Sequence, residues 1–198
     1  MVLSAGLGVG GCEVASLVGG PEPRRIVLSP KSTFDEDLPV VDGTFRVDQV
    51  TASTGLSTFR IALFPSATEL DYYANAVWED VLPVMIQARL IESFQNTGLF
   101  DVLPREALGV RATYALTVHL REFQAEYNGN LSEPPVVHVH LLPRLLALPR
   151  RTTLARDSFD VKVEAAGTGI DPIKDAFDEA FGRAVKRMVE WTARTLGA

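Results

Sequence analysis

The sequence predicts an α+β fold, a largely antiparallel sheet of about five or six strands with two long helices packed on one face. Two observations lead to this prediction. Apolar residues recur at helical spacing in two stretches, whereas several other stretches alternate between apolar and polar residues. The predicted order is strands, helix, three consecutive strands and helix, which is typical of an antiparallel sheet covered on one side.

Three short strands are predicted before the first helix, over residues 25–28, 44–51 and 58–64. These stretches are rich in aliphatic, aromatic and β-branched side chains, and turn residues bound each of them. In the third stretch, apolar residues alternate from Phe59 to Leu63. This alternation places them on one face of a half-buried strand.

The first long helix is predicted over residues 75–97, with Asn75 as its N-cap. Trp78 belongs to a broad apolar stripe at helical spacing, and we expect this residue to be packed in the core. Pro83 either marks the true first turn or kinks the helix, because proline has no amide N–H to donate. Gly98 is the expected left-handed residue that stops the helix.

Three long strands are predicted next, over residues 112–127, 136–148 and 153–163. Asparagine and glycine residues form a turn signal between the first two. The apolar parity shifts within the first strand, which predicts a β-bulge near Arg121. The three strands would then form a meander in the middle of the sheet.

The last helix has the clearest pattern in the chain. Asp171 is predicted as its N-cap and Pro172 as its first helical residue, and it runs to Thr195. A helix of this length is about 36 Å long. The apolar positions at helical spacing are Ile173, Ala176, Phe177, Ala180, Phe181, Ala184, Val185, Met188 and Val189.

Composition excludes several classes of protein. The chain has 198 residues, 46% of them hydrophobic, which is typical of one globular domain. Its net charge of -6 argues against nucleic acid as a partner, because phosphate binding depends on Lys and Arg. A single cysteine, Cys12, excludes a disulfide within the chain and a cysteine-based metal cluster. No apolar run reaches the roughly 18 residues that span a bilayer.

The histidines offer one arrangement that resembles a metal site. His138 and His140 would lie on one face of a strand, and His119 could approach them from the neighbouring strand. The sequence places no cysteine and no nearby carboxylate that would complete a familiar ligand set. We therefore expect structural or exposed histidines, and neither a metal site nor a cofactor site.

Serines and carboxylates form no catalytic motif. The serines considered as nucleophiles, which lack the surrounding glycine-rich elbow, are Ser29, Ser66 and Ser158. Glu122, Glu126 and Asp157 could face one another on adjacent strands, as the carboxylates of glycosidases do. Acids on strand surfaces are usually not catalytic pairs, so no catalytic residue is expected. The acidic run at residues 35–37 is expected to be a solvated loop rather than a cation site.

Tyr72 and Tyr73 are candidates for partner contacts. The two residues are adjacent, so in an extended segment their side chains point in opposite directions. We expect one of them to be buried and the other to be exposed to a partner, since tyrosine is enriched in interfaces.

Three interpretations of the amino-terminal segment remain open. Residues 6–11 match the G-x-G-x-x-G dinucleotide fingerprint, but only five residues precede them and the turn at 19–21 interrupts any following helix. The segment could also be a floppy tail with a chance thiol. Residues 9–12, Val-Gly-Gly-Cys, match the pattern of a bacterial lipobox, in which small residues precede the cysteine that receives the lipid.

Several stretches, taken in order, resemble the ABC-type transport auxiliary lipoprotein component family, from about Cys12 to about Arg194. They are residues 25–30 (RIVLSP), 59–66 (FRIALFPS), 70–73 (LDYY) followed by Trp78, Phe94-x-x-x-Gly98, 120–127 (LREFQAEY) and 176–180 (AFDxA). No single stretch is diagnostic of catalysis, and the ordered set carries the resemblance. It also favours the lipobox interpretation of the amino-terminal segment.

The resemblance implies a non-enzymatic periplasmic lipoprotein of an MCE-type lipid transporter. Its implied partners are an MCE-domain protein and an ABC permease and ATPase, with the state of homo-oligomerisation left open. Residues 1–11 would be a lipoprotein signal peptide, residues 12–24 a tether and residues 25–198 a single auxiliary domain. Acyl chains, palmitate among them, would attach Cys12 to the inner leaflet of the outer membrane.

A second function stays open on the residues alone. Both helices are rich in aliphatic and aromatic side chains. A soluble periplasmic carrier could therefore bind lipid in an apolar cavity between the helices and the sheet.

Overall fold

The computed structural model describes residues 22–105, 107 and 109–197, which form ten strands and two helices. The helices are α1 (Leu82–Gln95) and α2 (Ile170–Leu196). The strands are β1 (Arg24–Ile26), β2 (Thr44–Val47), β3 (Thr51–Ala52), β4 (Arg60–Ser66), β5 (Glu69–Trp78), β6 (Asp101–Val102), β7 (Tyr114–Glu126), β8 (Val136–Ala147), β9 (Thr152–Arg156) and β10 (Phe159–Glu164).

All ten strands belong to one mixed sheet, so the expectation of five or six largely antiparallel strands is wrong. The long strands β7 and β8 pair antiparallel, and β8 also pairs antiparallel with β9 and β10. The short strands β2, β3 and β4 run parallel to β7, and β1 runs parallel to β5. Parallel strands are joined by long connections, so the alternation of apolar and polar residues within each strand does not reveal which strands pair.

The predicted first helix starts too early. Residues 69–78 form β5, in which Asn75 is exposed, and α1 begins at Leu82 with Pro83 in its first turn. Pro83 therefore marks the true first turn and does not kink the helix, because the first turn needs no amide N–H from that residue. Trp78 is buried as predicted, but on a strand. Gly98 has the expected positive φ of 65°, which glycine adopts at low cost.

Two of the three long strands and most of the last helix match the prediction. The predicted strand over 153–163 is wrong, because this stretch forms two strands, β9 and β10, which pair with different halves of β8. The register of β7 on β8 shifts between Leu120 and Glu122, which confirms the bulge at Arg121. Helix α2 begins at Ile170 after Gly169, so Asp171 lies in its first turn and is not its N-cap. Within the described residues, neither helix combines the length and the apolar composition that crossing a bilayer requires.

Both helices cover the same face of the sheet. Alternate residues of β7 and β8 face α2, among them Phe123 and Val139, which lie opposite each other in the register. On the same face, Phe45 of β2 packs against Phe94 of α1 with ring centroids 4.7 Å apart. One continuous apolar core therefore joins the two helices to one side of the sheet.

Four aromatic rings form the centre of this core. The Phe177 ring of α2 packs edge-on against Trp78, at 5.2 Å between centroids, and stacks on Phe123 at 5.5 Å. Phe181, one helical turn later, meets Phe123 at 6.2 Å. All four side chains are essentially without solvent exposure. Offset and edge-on ring pairs of this kind stabilise a core beyond the area they bury.

The segment that follows β1 runs along α2. The Ser29 amide donates a hydrogen bond to Asp178 at 2.6 Å. Further along, the carboxylate of Asp35 accepts hydrogen bonds from Lys186 at 2.9 Å and Arg194 at 3.0 Å. The hydrogen bond from Lys186, helped by Arg194 and opposed by partial desolvation, lowers the pKa of Asp35. One member of the acidic run at residues 35–37 therefore pairs with basic side chains of the helix.

The aromatic centre yields the first prediction. We expect Phe177→Ala to lower the free energy of unfolding by about 3–5 kcal/mol, because it removes a fully buried ring and leaves a cavity. Urea denaturation followed by circular dichroism measures this loss. Phe59→Ala is the matched control, since this phenylalanine is 54% exposed. Equal losses in the two variants would contradict the assigned core.

Asp35 yields a prediction about acid stability. Because its pKa is lower in the folded chain, the stabilisation is complete above the unfolded value of about 3.9 and is lost as the pH falls further. We expect Asp35→Asn to lower the melting temperature at pH 7. The difference from wild type should shrink progressively below about pH 4.

The control for this acid series is Asp37→Asn. Asp37 is exposed, and within the part of the chain that the structure describes it forms no ion pair. Melting curves between pH 7 and pH 2 at low salt compare the three proteins, because salt screens exposed pairs. A pH-independent offset for Asp35→Asn would rule out the ionic contribution.

Candidate functional site

The face of the sheet opposite the helices carries polar and charged side chains from four strands. We call it the open face. Its side chains alternate in sequence with those that point to the core. They are Thr117, His119, Glu122, Gln124, Glu126, His138, His140, Leu142, Arg144, Arg156, Asp160 and Lys162.

His138 lies near the start of β8 on the open face and has only 11% of its side chain exposed. Its Nδ1 lies 2.6 Å from a carboxylate oxygen of Glu126, and its Nε2 lies 2.9 Å from one of Asp160. Local sequence patterns do not place Asp160 near the histidines, because it reaches them only through the antiparallel pairing of β10 with β8. We call His138, His140, Glu126 and Asp160 the histidine cluster.

Glu126 is itself held by neighbours on the open face. Its second oxygen accepts a hydrogen bond from Lys162 at 3.1 Å. The amide of Gln124 bridges Glu126 at 3.1 Å and Glu122 at 2.8 Å. Partial burial acts to raise the pKa of Glu126, but the hydrogen bonds from His138 and Lys162 outweigh it and lower this pKa. The carboxylate is therefore kept ionised and fixed in place.

His140 completes the cluster but does not form a catalytic triad. Its Nε2 lies 2.7 Å from the hydroxyl of Ser158, and its Nδ1 lies 3.8 Å from Asp160. This order of serine, histidine and acid resembles that of serine hydrolases. A separation of 3.8 Å is too long for the hydrogen bond by which the acid would orient the imidazole. The geometry therefore gives no support for an activated serine.

A second part of the open face is a cleft of about 810 Å³ at the other end of β8. We call it the arginine cleft. Arg144 and Arg156 lie directly opposite each other on β8 and β9, and among the described residues neither has a carboxylate within 4.0 Å. Arg151 also borders the cleft and pairs with Asp48 at 3.1 Å. Like charges directly opposite on paired strands are destabilising, so this arrangement costs the fold some stability.

The structure separates several residues that the sequence would allow to meet. His119 lies opposite Leu142, and its Nδ1 contacts the Thr51 hydroxyl at 3.0 Å in the arginine cleft, so it does not join the other two histidines. Asp157 also borders that cleft, whereas Glu126 belongs to the histidine cluster and Glu122 lies beside it. The three carboxylates considered for glycosidase chemistry therefore do not converge on one point.

The two tyrosines considered for partner contacts are both half-buried. The hydroxyl of Tyr72 donates a hydrogen bond to the Gly55 carbonyl at 3.0 Å, and the guanidinium of Arg60 lies 3.9 Å from its ring centroid. The hydroxyl of Tyr73 lies 2.9 Å from that of Tyr127, and burial raises the pKa of Tyr73. Contact with a partner stays a prediction for both residues.

Two further expectations concern the lipid anchor and a lipid-binding cavity. Cys12 and the whole of the expected signal peptide lie outside the described residues, as does most of the expected tether.

The interface between the helices and the sheet is filled by large side chains with almost no exposure, such as Phe123 and Phe181. This packing offers no support for a lipid carrier with a cavity at that interface.

Solved structures of two bacterial proteins have a similar fold. A protein from Xanthomonas campestris aligns with a TM-score of 0.79 and 23% identity, over 86% of this chain and 95% of its own. A hypothetical protein from Chlamydia trachomatis aligns with a TM-score of 0.53 and 10% identity, over 77% of this chain and 98% of its own. At these identities the similarity shows the fold alone.

A curated relative and a family model extend the comparison to sequence. An uncharacterized protein of Bradyrhizobium diazoefficiens is 27% identical over an alignment of 189 positions, which covers 89% of this chain and 47% of the relative. The chain thus spans about half the length of that relative. The model of the ABC-type transport auxiliary lipoprotein component family matches residues 30–189, which include α1, most of α2 and every strand except β1. The chain therefore belongs to the ABC-type transport auxiliary lipoprotein component family.

Proposed function

We propose that the chain is a non-enzymatic accessory of an MCE-type lipid transporter, acting in the periplasm. The observation that carries this proposal is the family match over residues 30–189, which associates the chain with an ABC-type transport system. Its working partners would be an MCE-domain protein and the permease and ATPase of that transporter. We propose lipid as the transported substrate because the family resemblance of the sequence implies an MCE-type lipid transporter.

The open face supports docking on this machinery. Both helices lie on the other side of the sheet, so polar side chains of four strands remain available for a partner. Arg144 and Arg156 supply two cations with no carboxylate within 4.0 Å among the described residues. Since their proximity costs stability, we propose that they meet an acidic surface of the transporter's periplasmic subunit. Electrostatic complementarity of this kind sets partner choice and association rate.

Cys12 supports a membrane tether. We propose that it carries acyl chains, palmitate among them, that insert in the inner leaflet of the outer membrane. Each buried methylene contributes about 0.8 kcal/mol, and stable anchoring needs more than one chain. Because β1 begins at Arg24, residues 12–23 would then form a leash of about 40 Å at full extension. The leash would hold the domain within reach of the transporter without fixing its orientation.

Charge reversal in the arginine cleft tests the docking face. We expect the double variant Arg144→Glu/Arg156→Glu to recover at least tenfold less transporter from detergent-solubilised membranes, because two like charges would then face the acidic partner. The measurement is affinity capture through this chain, followed by quantitative mass spectrometry of the MCE-domain protein and the permease.

A matched control places the same reversal on the helical side of the domain. Arg183 and Arg187 are exposed residues of α2, which lies on the side of the sheet opposite the open face. The double variant Arg183→Glu/Arg187→Glu should recover as much transporter as wild type. If both pairs of substitutions leave recovery unchanged, the open face is not the docking surface.

Removal of the thiol tests the tether. We expect Cys12→Ser to move the protein from the membrane fraction to the soluble periplasmic fraction, since serine cannot take the place of the lipid-bearing cysteine. Ser16→Ala, a small change in the same segment, should leave the protein with the membrane. Intact-mass measurement of the amino-terminal peptide reports the attached chains directly. A Cys12→Ser protein that sediments as firmly as wild type would refute lipid anchoring.

A further inference from the structure

The histidine cluster contains three side chains whose donor atoms converge. His138 and His140 are two residues apart on β8, so both imidazoles project from the same face of the sheet. Asp160 of β10 lies directly opposite His140 in the antiparallel register. The nearest donor atoms of these three residues all lie within 4.8 Å of one another. Paired β-strands hold all three, which keeps the backbone positions well defined.

The second nitrogen of each imidazole is already engaged by a neighbouring side chain. Glu126 holds Nδ1 of His138 at 2.6 Å, and Lys162 and Gln124 hold Glu126 in turn. The Ser158 hydroxyl holds Nε2 of His140 at 2.7 Å. These contacts leave Nε2 of His138 and Nδ1 of His140 facing the same carboxylate. Outer groups that orient imidazoles in this way are a regular part of metal sites.

We propose that His138 Nε2, His140 Nδ1 and the Asp160 carboxylate bind a divalent transition metal of the zinc class. Imidazole and carboxylate ligands suit zinc. Neighbouring ligand atoms of a tetrahedral zinc ion lie about 3.3 Å apart when the bonds are near 2.0 Å. Asp160 oxygens lie 2.9 Å from His138 and 3.8 Å from His140, on either side of that value. Small side-chain rotations would therefore form the site.

The fourth position would face solvent. Asp160 is 53% exposed, while the two imidazoles are 11% and 14% exposed, so the ion would sit at the surface with its histidines mostly covered. Three protein ligands and one open position are typical of zinc sites that retain a water molecule. The metal would join β8 to β10, and through Glu126 it would connect to β7.

A metal-free alternative accounts for part of this geometry. With a proton on each ring nitrogen, His138 would donate one hydrogen bond to Glu126 and one to Asp160. That network leaves Nδ1 of His140 without a hydrogen-bond partner within the described residues. Its ring lies nearly parallel to that of His138, with an interplanar angle of 15°, and its Nδ1 faces Asp160 beyond hydrogen-bond distance. A shared cation between the two rings and the carboxylate accounts for both orientations.

The test is titration of the untagged full chain with Zn²⁺ at pH 7 by isothermal calorimetry, after treatment with a chelator. We expect one ion per chain with a dissociation constant of micromolar or below. His140→Gln and Asp160→Asn should each weaken binding at least tenfold, since each removes a ligand. Glu126→Gln, which changes only an orienting group, should weaken it about 10–100-fold.

The matched control is His119→Gln, which removes the histidine in the arginine cleft and should leave zinc affinity unchanged. Circular dichroism confirms that each variant is folded before titration. Zn²⁺ should also raise the melting temperature of wild type but not of His140→Gln, because an ion that binds only the folded chain stabilises it. No stoichiometric binding by wild type, or equal affinity in wild type, His140→Gln and Asp160→Asn, would overturn the site.

Discussion

The packing of α2 on the middle of the sheet determines how the rest of the molecule is used. Phe177 and Phe181 fill the space above Phe123, and Trp78 closes it from the β5 side. This contact buries one face of β7 and β8 completely. Because successive residues of a strand point to opposite sides, it also determines which residues must face away from the helices. The polar composition of the open face follows from that division.

The open face then divides into two regions with different chemistry. At one end of β8, carboxylates surround the buried imidazole of His138, and Lys162 pairs with Glu126. At the other end, Arg144 and Arg156 face each other across β8 and β9. Side chains that hydrogen-bond one another form a site whose geometry is set before any partner binds. Opposed arginines are instead stabilised when an anionic surface approaches them. One sheet surface can thus combine a preformed site and a docking region.

Local patterns in the sequence predict the elements that organise themselves locally. The helical spacing around Phe177 and the parity shift near Arg121 both appear in the structure. The helix prediction starts at residue 75 because Trp78 also fits the stripe of α1, yet residues 75–78 are the end of β5. The mixed sheet and the position of Asp160 depend on register between strands far apart in sequence. No local periodicity contains that information, so the number of strands and the histidine cluster required the structure.

The attachment of β1 has a mechanical consequence. A pull on the amino-terminal end of the domain reaches the fold first through this three-residue edge strand, which pairs with β5. The exposed ion pair of Arg24 with Asp171 offers little resistance, whereas the buried side chains of Ile26 and Leu28 must be withdrawn from the core. Tension would therefore detach β1 from β5 before it disturbs α2. The detached residues would lengthen the tether while the rest of the domain stays folded.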